Sequence, residues 1–575
     1  MFDSRLSRVL ALGAIMTAFA APPAPAQHPP QGGPPKADPP QADLVVWGGR
    51  IATVDPRNPE AEAIAVAGDR IVAVGKKAEI AKRVGPATRV VDLGGALAVP
   101  GLIDAHAHFL GIGDAAIQLD LTKPKNFGEI VELVRAAAAK AQPGEWIRGR
   151  GWHQDKWNAK PEPMVDGFPV HDALSAASPD NPVILTHASG HASLANAKAM
   201  ELAKIGPDTA DPPGGDLVRD AKGRPTGLLN ETAQDLVQAG AQSEGELKRM
   251  ASLASQEVLK KGITSFQDAG TPFAGLDVLK KLVEDGTVGV RLWMMAEGSN
   301  ESLAKNLPKY LVKGAAGGRW SVGGIKRYMD GALGSRGALL LKPYSDAHET
   351  SGLALAEMSD LRETARIAAE NGAQLCIHAI GDKANRMVLD LYEETFRKYP
   401  EPKDRRWRVE HAQHVDPADI PRFGKLGVIA SVQTVHCTSD GPWVPERLGA
   451  ERCEASAYPW RKLLESGARL ANGTDAPVED VDPIANFYSA VTRKSANGQA
   501  FYPSQQLTRD EALAATTLWA AYAAFEEKEK GSLEVGKLAD ITVLSKDILK
   551  VPEDEIRQAQ VLYTIVGGKV AYQRK

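Results

Sequence analysis

Short stretches of apolar or alternating apolar and polar residues, typical of β-strands, recur along the chain from residue 43 onward. Near the beginning they occupy residues 44–54 and 63–75, and Gly68 and Asp69 have the composition of a hairpin turn. Near the end they occupy residues 538–545 and 561–573. We expect the two chain ends to meet in one sheet system.

The long middle of the chain alternates apolar strand-like segments with stretches of helical character. The strand-like segments are residues 101–108, 262–270, 290–298, 323–331, 373–382, 406–414, 427–436 and 468–477. Eight strands separated mostly by helices predict an α/β protein built on a (β/α)8 TIM-like barrel. In such a barrel the active site forms at the carboxyl ends of the strands.

A segment at about residues 144–235 interrupts this alternation after the first predicted strand. It has turn signals of its own, and residues 211–227 are typical of a hairpin. Long excursions at the carboxyl face of a barrel commonly shape pockets. We therefore expect this insertion to form part of a substrate site.

The first residues have the pattern of a secretory signal peptide. Arg5 and Arg8 precede an apolar run at residues 9–21, and the small-residue sequence "APA" follows at 24–26. The alternative is that the segment stays attached as a membrane anchor, but the apolar run is short for that role. We expect cleavage near Ala26 and a periplasmic or secreted protein with no stable membrane anchor. Residues 27–42 are rich in proline and predict a stiff, solvated linker.

Composition narrows the classes of partner. The net charge is −4, and positive and negative residues are interspersed, so the chain has no electrostatic footprint for nucleic acid. A small-molecule partner is the expectation. The three cysteines Cys376, Cys437 and Cys453 allow at most one intramolecular disulfide and are too few for a cysteine zinc cluster. The sequence leaves open whether Cys437 and Cys453 pair and whether the chain forms a homodimer.

Ionisable residues lie at the predicted carboxyl ends of the barrel strands. Each has an ordinary explanation by itself, such as a buried structural histidine, a solvated lysine or a turn-capping aspartate. His106 and His108 differ because residues two apart on a strand point the same way. The set is His106, His108, Lys326, His378, His411 and Asp475. Its four histidines and its carboxylate together offer nitrogen and oxygen ligands suited to zinc or a similar divalent ion.

Weaker candidates for substrate contact lie in the insertion and after the fourth strand. Trp152, His187 and His191 either line a pocket or make local hydrogen bonds. The i, i+4 spacing of His187 and His191 invites a zinc interpretation, but the small residues around them predict a loop instead of a helix. Asp330 and Arg336 are either a structural ion pair or substrate contacts.

Several motifs together resemble the amidohydrolase superfamily, and within it the amidohydrolase 3 family, which includes N-substituted formamide deformylases and YtcJ-like proteins. The resemblance extends from about residue 43 to the C-terminus. Its motifs are "VPGLIDAHAH" at 99–108, "IKRYMDGALGSRGALL" at 325–340, "IHAIGD" at 377–382, "VEHAQ" at 409–413, "NGTDAPV" at 472–478 and "GSLEVGKLADITVL" at 531–544. It implies a metal-dependent barrel over residues 99–525 and a β-sandwich from residues 43–98 and 526–575.

The same resemblance implies a role for each candidate ligand. His106 and His108 would bind the more buried metal, His378 and His411 a second one, and Asp475 would ligate and handle protons. Lys326 would be carboxylated and bridge the two ions, since a carbamate supplies anionic oxygens that an ammonium lacks. The alternative is a plain lysine cation beside a single metal.

The ligand set predicts a hydrolase in which metal-activated hydroxide attacks a carbonyl carbon and Asp475 transfers the proton to the leaving nitrogen. The leading hypothesis is cleavage of a non-peptide C–N bond in an N-formyl or N-acyl amide. A lactonase or esterase on the same centre is the second hypothesis. A catalytically silent binding or regulatory protein on this scaffold is the third.

Overall fold

The computed structural model describes residues 41–240 and 242–575. The predicted signal peptide at residues 1–26 and most of the proline-rich linker therefore lie outside the described residues. Within those two ranges, no helix has both the length and the apolar character needed to cross a bilayer. All three cysteines are buried free thiols, so the disulfide between Cys437 and Cys453 that the sequence left open is not formed here.

Eight parallel strands, numbered here β1 to β8, form the centre of the protein. Each hydrogen-bonds to the next strand along the chain from β1 to β8. They are β1 Leu102–Ala107, β2 Ile263–Pro272, β3 Arg291–Glu297, β4 Trp320–Tyr328, β5 Gln374–Ala379, β6 Arg408–His411, β7 Ile429–Val432 and β8 Leu470–Asn472. Six of the eight predicted segments contain one of them, and the segments at 262–270 and 323–331 overlap β2 and β4, which confirms the TIM-like barrel.

Helices pack around this barrel and bury apolar side chains. In Asp382–Lys398, for example, Val388, Leu391 and Tyr392 are buried. The helices between or after the barrel strands are Phe109–Ala115, Glu244–Lys260, Phe273–Glu284, Asn300–Tyr310, Met358–Asn371, Asp382–Lys398, Ile420–Leu426, Thr434–Asp440, Val444–Leu448, Ala450–Ser456, Trp460–Glu465, Pro483–Thr492, Arg509–Ala515 and Leu518–Ala523. The short strand Val312–Gly314 pairs with the beginning of β4.

The barrel closes through the loop that follows β8. The Asp475 backbone N–H donates to the His106 carbonyl (2.7 Å), and the His108 N–H donates to the Ala476 carbonyl (2.8 Å). Thr474 adds two bonds to the buried Asp104 carboxylate of β1, from its hydroxyl (2.5 Å) and its backbone N–H (3.0 Å). Closure thus takes place at the carboxyl end of the barrel, next to the predicted metal ligands.

The two chain ends meet in one mixed sheet of eight strands, as the sequence indicates. Its strands are Leu44–Ala52, Glu60–Ala67, Arg70–Gly75, Arg89–Asp92, Leu97–Pro100, Ile541–Leu544, Val561–Val566 and Lys569–Gln573. The predicted hairpin turn at Gly68 and Asp69 is present, since Ala67 pairs with Arg70. A buried ion pair between Arg291 of β3 and Asp540 (2.7 Å) joins the barrel to this sheet.

The insertion after β1 forms a sheet of its own with six strands. In spatial order they are Gly215–Arg219, Pro225–Glu231, Ala192–Ala195, Val183–His187, Ile147–Trp152 and Leu119–Asp120. Helices Phe127–Ala138, Asp172–Ala177 and Ala197–Leu202 accompany this sheet. The expected hairpin is formed by its first two strands. The sheet begins at Leu119–Asp120, upstream of the predicted boundary at about residue 144. The sequence did not indicate this strand because two residues are too few to form a recognisable pattern.

The closure predicts a stability effect at Thr474. Replacing Thr474 with valine keeps the shape of the side chain but removes the hydroxyl donor to buried Asp104. We expect Thr474→Val to lower the free energy of unfolding by about 1–3 kcal/mol, measured by urea denaturation. The matched control is Thr122→Val, which removes an exposed bond from the Thr122 hydroxyl to Asp120. Equal effects of the two substitutions would contradict the proposed importance of the closure.

Candidate metal centre

The carboxyl ends of four barrel strands bring the predicted histidines and aspartate together. His106 lies in β1, His378 in β5 and His411 at the end of β6. The ring centroid of His411 is 4.8 Å from that of His106 and 4.4 Å from that of His378. His108 follows β1, with its ring centroid 5.9 Å from that of His106.

Asp475 lies among these rings. Its Oδ1 atom is 3.4 Å from Nε2 of His106 and 3.3 Å from Nε2 of His108. Ligand atoms of His106, His411 and Asp475 all lie within 4.8 Å of one another, and all three residues are buried. Burial alone would raise the pKa of Asp475, but the neighbouring imidazoles of His106 and His108 lower it well below its ordinary value. Asp475 is therefore a carboxylate.

Several atoms in this group are buried and lack a hydrogen-bond partner in the described part of the chain. They are Nε2 of His106, Nε2 of His378 and Oδ1 of Asp475. Buried polar atoms are normally paired, so atoms that converge without partners indicate a missing ligand. Imidazole nitrogens with a carboxylate oxygen form the donor set that zinc and similar divalent ions prefer. The residues therefore fit a divalent metal ion.

Backbone strain is concentrated at the same place. His411, Ala412 and Asp475 have positive φ angles of 75°, 41° and 59°, in the left-handed region that residues with a Cβ rarely adopt. His411 Nδ1 is held by Gln433 Oε1 at 2.7 Å, and Asp475 is held by the closure bonds described above. Such strain persists only where the surroundings impose the conformation, and it is concentrated at functional sites.

A buried ion pair that sequence analysis missed lies directly behind His106. Glu410 Oε2 is 2.5 Å from Nδ1 of His106, and Glu410 Oε1 is 2.7 Å from Nε of Arg408; the three side chains are fully buried. A carboxylate that accepts from Nδ1 fixes the tautomer in which Nε2 is free to bind a metal. The available signal was the presence of two charged residues of opposite sign, two apart, in a predicted barrel strand.

Lys326 is also buried in the barrel, with only 1% of its surface exposed. Burial lowers the pKa of its amine, although the carboxylates of Glu410, Asp475 and Glu297 oppose that shift. Its Nζ lies 4.9 Å above the Tyr328 ring, and it makes no ion pair with any described residue. A lowered pKa favours the neutral amine, which is the form that reacts with carbon dioxide.

His436 is a second residue that the site includes and sequence analysis did not select. It lies on helix Thr434–Asp440, its buried Nε2 has no partner in the described ranges, and that atom is 3.8 Å from Asp475 Oδ2. The segment predicted as the seventh strand ended at this histidine. The strand itself ends at Val432, so His436 reaches the site from the helix that follows.

A cavity of about 60 Å³ lies over the cluster. Barrel residues His378, His411, His436 and Asp475 line it together with residues of the insertion, among them His153, Ser189 and His191. The insertion thus forms part of the cavity wall, and its expected role in a substrate site stays a prediction.

The weaker sequence candidates divide into two groups. His191 lines the cavity. Asp330 lies beside it, with Oδ1 3.6 Å from His378 Nε2, but its carboxylate accepts backbone N–H bonds from Leu339, Ile380 and Gly381. Burial raises the pKa of Asp330 to about 7.

Trp152, His187 and Arg336 do not line this cavity. Trp152 donates to the Leu185 carbonyl in the core of the insertion (2.8 Å). His187 is bonded to Ser189 and Gln154, and its imidazole is therefore already satisfied. Arg336 pairs with Asp346 (2.9 Å) and not with Asp330. For these three residues the structure shows structural contacts, which the sequence had left open as the alternative to substrate contact.

The sequence model of the amidohydrolase family matches residues 89–572, nearly the whole of the described chain. The chain belongs to the amidohydrolase family. This amidohydrolase is 36% identical to the protein LONG AFTER FAR-RED 3 of Arabidopsis thaliana, over 92% of this chain and 91% of the relative. It is 31% identical to the putative amidohydrolase YtcJ of Bacillus subtilis, over 92% and 99% of the two chains.

Two further similarities concern hydrolases. An N-substituted formamide deformylase of Arthrobacter pascens is 28% identical over 92% of this chain and 98% of the relative. A crystal structure of an uncharacterised metal-dependent hydrolase from Pyrococcus horikoshii superimposes with a TM-score of 0.72 and 27% identity. It covers 89% of this amidohydrolase and 99% of the other chain. The family expected from the sequence motifs is confirmed.

The contact behind His106 predicts an effect on metal affinity. Glu410→Gln keeps the size of the side chain but removes the charge that orients His106 and faces Arg408. We expect zinc affinity to fall about 10–100-fold, measured by competition with a chelating dye on the folded protein. A matched control is Glu62→Gln, which removes a charge at the surface. Unchanged zinc affinity in folded Glu410→Gln would contradict the orienting role.

Proposed function

We propose that this amidohydrolase is a metal-dependent hydrolase that cleaves a non-peptide C–N bond in an N-formyl or N-acyl amide. The observation that carries the proposal is the buried group of His106, His411 and Asp475, whose ligand atoms converge within 4.8 Å. Full-length similarity to an N-substituted formamide deformylase supports the choice of a C–N bond over other bonds.

The residues proposed to hold one or two metal ions, zinc by preference, are His106, His108, Lys326 as its carbamate, His378, His411 and Asp475. When bound, a divalent ion would polarise the substrate carbonyl and lower the pKa of water toward neutrality. The low-dielectric surroundings of Lys326 favour the neutral amine from which a carbamate forms.

Asp475 is the proposed proton carrier. Its carboxylate is held ionised, and it faces the cavity from the closure loop, so it is placed to accept a proton from the attacking water. The same oxygen then returns the proton to the nitrogen of the leaving amine, which leaves poorly unless it is protonated. His106 is kept in its ligating tautomer by Glu410, and residues of the insertion form part of the cavity wall.

The cavity size bears on the substrate. At about 60 Å³ it is far below the roughly 300–1,000 Å³ of pockets that enclose large ligands. It accommodates a small acyl group such as formyl or acetyl, and the rest of a larger substrate would extend outward between the insertion and the barrel. A small acyl group is therefore the better candidate.

The first test is a substrate panel with the zinc-loaded protein. We expect hydrolysis of small N-substituted formamides or acetamides in preference to lactones and loss of this activity on chelation. Asp475→Asn should lower turnover about 10²–10⁴-fold because the proton carrier is removed. The control Asp480→Asn changes an exposed aspartate paired with Lys261 and should retain activity. Hydrolysis of lactones alone would favour a lactonase or esterase. Absence of turnover of any substrate by the metal-loaded protein would favour a catalytically silent binding or regulatory protein.

The second test concerns Lys326. We expect Lys326→Ala to lose metal as well as activity, with partial recovery of both when a short carboxylic acid is added. Lys326→Arg should be no better, since a guanidinium keeps its charge and cannot form a carbamate. Metal content is measured by atomic absorption, with the exposed Lys260→Ala as control. If Lys326→Arg retains two metals and near-normal turnover, the bridging role is wrong.

A further inference from the structure

The wall of the cavity that faces the barrel histidines is supplied by the insertion. His191 follows the strand Val183–His187 and lines the cavity together with His378 and Asp475. Its ring centroid is 5.1 Å from that of His378. A side chain of the insertion thus lies next to the proposed reaction centre, although it comes from a different sheet.

Glu231 holds His191 in this position. Its Oε2 atom is 2.7 Å from Nδ1 of His191, and only 2% of the Glu231 side chain is exposed. Glu231 itself has a positive φ of 51°, a conformation that a residue with a Cβ rarely adopts. The strained backbone at the end of the strand Pro225–Glu231 directs this carboxylate toward His191.

The barrel provides the space that Glu231 needs. A Cβ atom at Gly331 would lie 1.9 Å from Glu231 Oε1, and a Cβ at Gly337 would lie 2.3 Å from it. Both glycines belong to the loop after β4. Any larger residue at either position would displace the carboxylate. The pair of Glu231 and His191 is therefore built jointly by the insertion and the barrel.

The direction of the Glu231 bond determines what His191 offers to a ligand. An ionised carboxylate only accepts, so Nδ1 of His191 is the donor. In the neutral imidazole, Nε2 then carries a lone pair and is an acceptor for a ligand N–H group.

We propose that His191 accepts a hydrogen bond from the N–H of a secondary amide substrate and that Glu231 is its positioning residue. This proposal rests on the proposed function and deepens it, because it explains how an amide is chosen over an ester. An ester has no N–H, and it would leave the His191 acceptor unpaired in a largely buried site. Sites that bind a substrate N–H discriminate strongly against analogues that lack it.

The kinetic test compares N-ethylformamide with ethyl formate at pH 9. Alkaline pH is used because, although burial by itself lowers the pKa of His191, the Glu231 carboxylate raises it above its ordinary value, and only the neutral imidazole accepts at Nε2. We expect His191→Leu to lower the ratio of kcat/KM for the amide to that for the ester at least tenfold relative to the wild type. Glu231→Gln should raise KM for the amide and leave KM for the ester unchanged. The control His171→Leu alters another histidine of the insertion, bonded to Ser175 and outside the cavity lining. An unchanged ratio in folded His191→Leu would overturn the proposal.

A binding test does not depend on turnover. Ligand-observed NMR with the zinc-loaded protein compares N-ethylformamide with N-ethyl-N-methylformamide, which has no N–H. The wild type should bind the secondary amide more tightly, and His191→Leu should remove the difference. Equal binding of the two amides by the wild type, or a difference that survives in His191→Leu, would overturn the role of His191. Failure of the wild type to hydrolyse any amide would instead refute the proposed function, and the binding comparison would still decide this inference.

Discussion

Closure of the barrel between β8 and β1 is the constraint on which the candidate site depends. The bonds from Asp475 N–H to the His106 carbonyl and from His108 N–H to the Ala476 carbonyl fix two proposed ligands, one in β1 and one just after it, against a third beyond β8. They also hold Asp475 in its left-handed conformation. The geometry of the site is therefore a consequence of how the barrel closes, and the closing loop cannot relax without separating the ligands.

The interior below the site is more polar than a barrel core usually is. Arg408 and Glu410 are fully buried, and Arg408 also donates to Gln267 and to the Ala105 carbonyl (2.7 and 2.6 Å). Burying such a pair costs free energy that apolar residues of similar volume would not require. Its retention is explained by its contact with His106, because an apolar core could not orient an imidazole.

The sequence was sufficient to predict the barrel. The alternation of strand-like and helical segments, the number of strands and the ionisable residues at the strand ends all indicate the same architecture. It located His106, His378, His411 and Asp475 for the same reason, since parallel strands end at one face. It did not identify Glu410 or His436: Glu410 acts through His106, and His436 arrives from a helix. Trp152 and His187 have the composition of pocket residues, but their neighbours satisfy them in the core of the insertion. Such partners depend on tertiary contacts that no local pattern records.

The barrel and the insertion contribute different residues to the candidate site. The barrel supplies the proposed metal ligands from strand ends that cannot move without opening the barrel. One of them, His106, is held from behind by the buried Glu410 carboxylate. The insertion supplies His191 and part of the cavity wall. These residues lie on loops and short strands, which tolerate substitutions and insertions more readily than barrel strands do. Gly331 and Gly337 limit that freedom, since they must leave space for Glu231. The proposed substrate contact can thus change through the insertion while the proposed metal ligands stay fixed, provided that the contact between Glu231 and the β4 loop is kept.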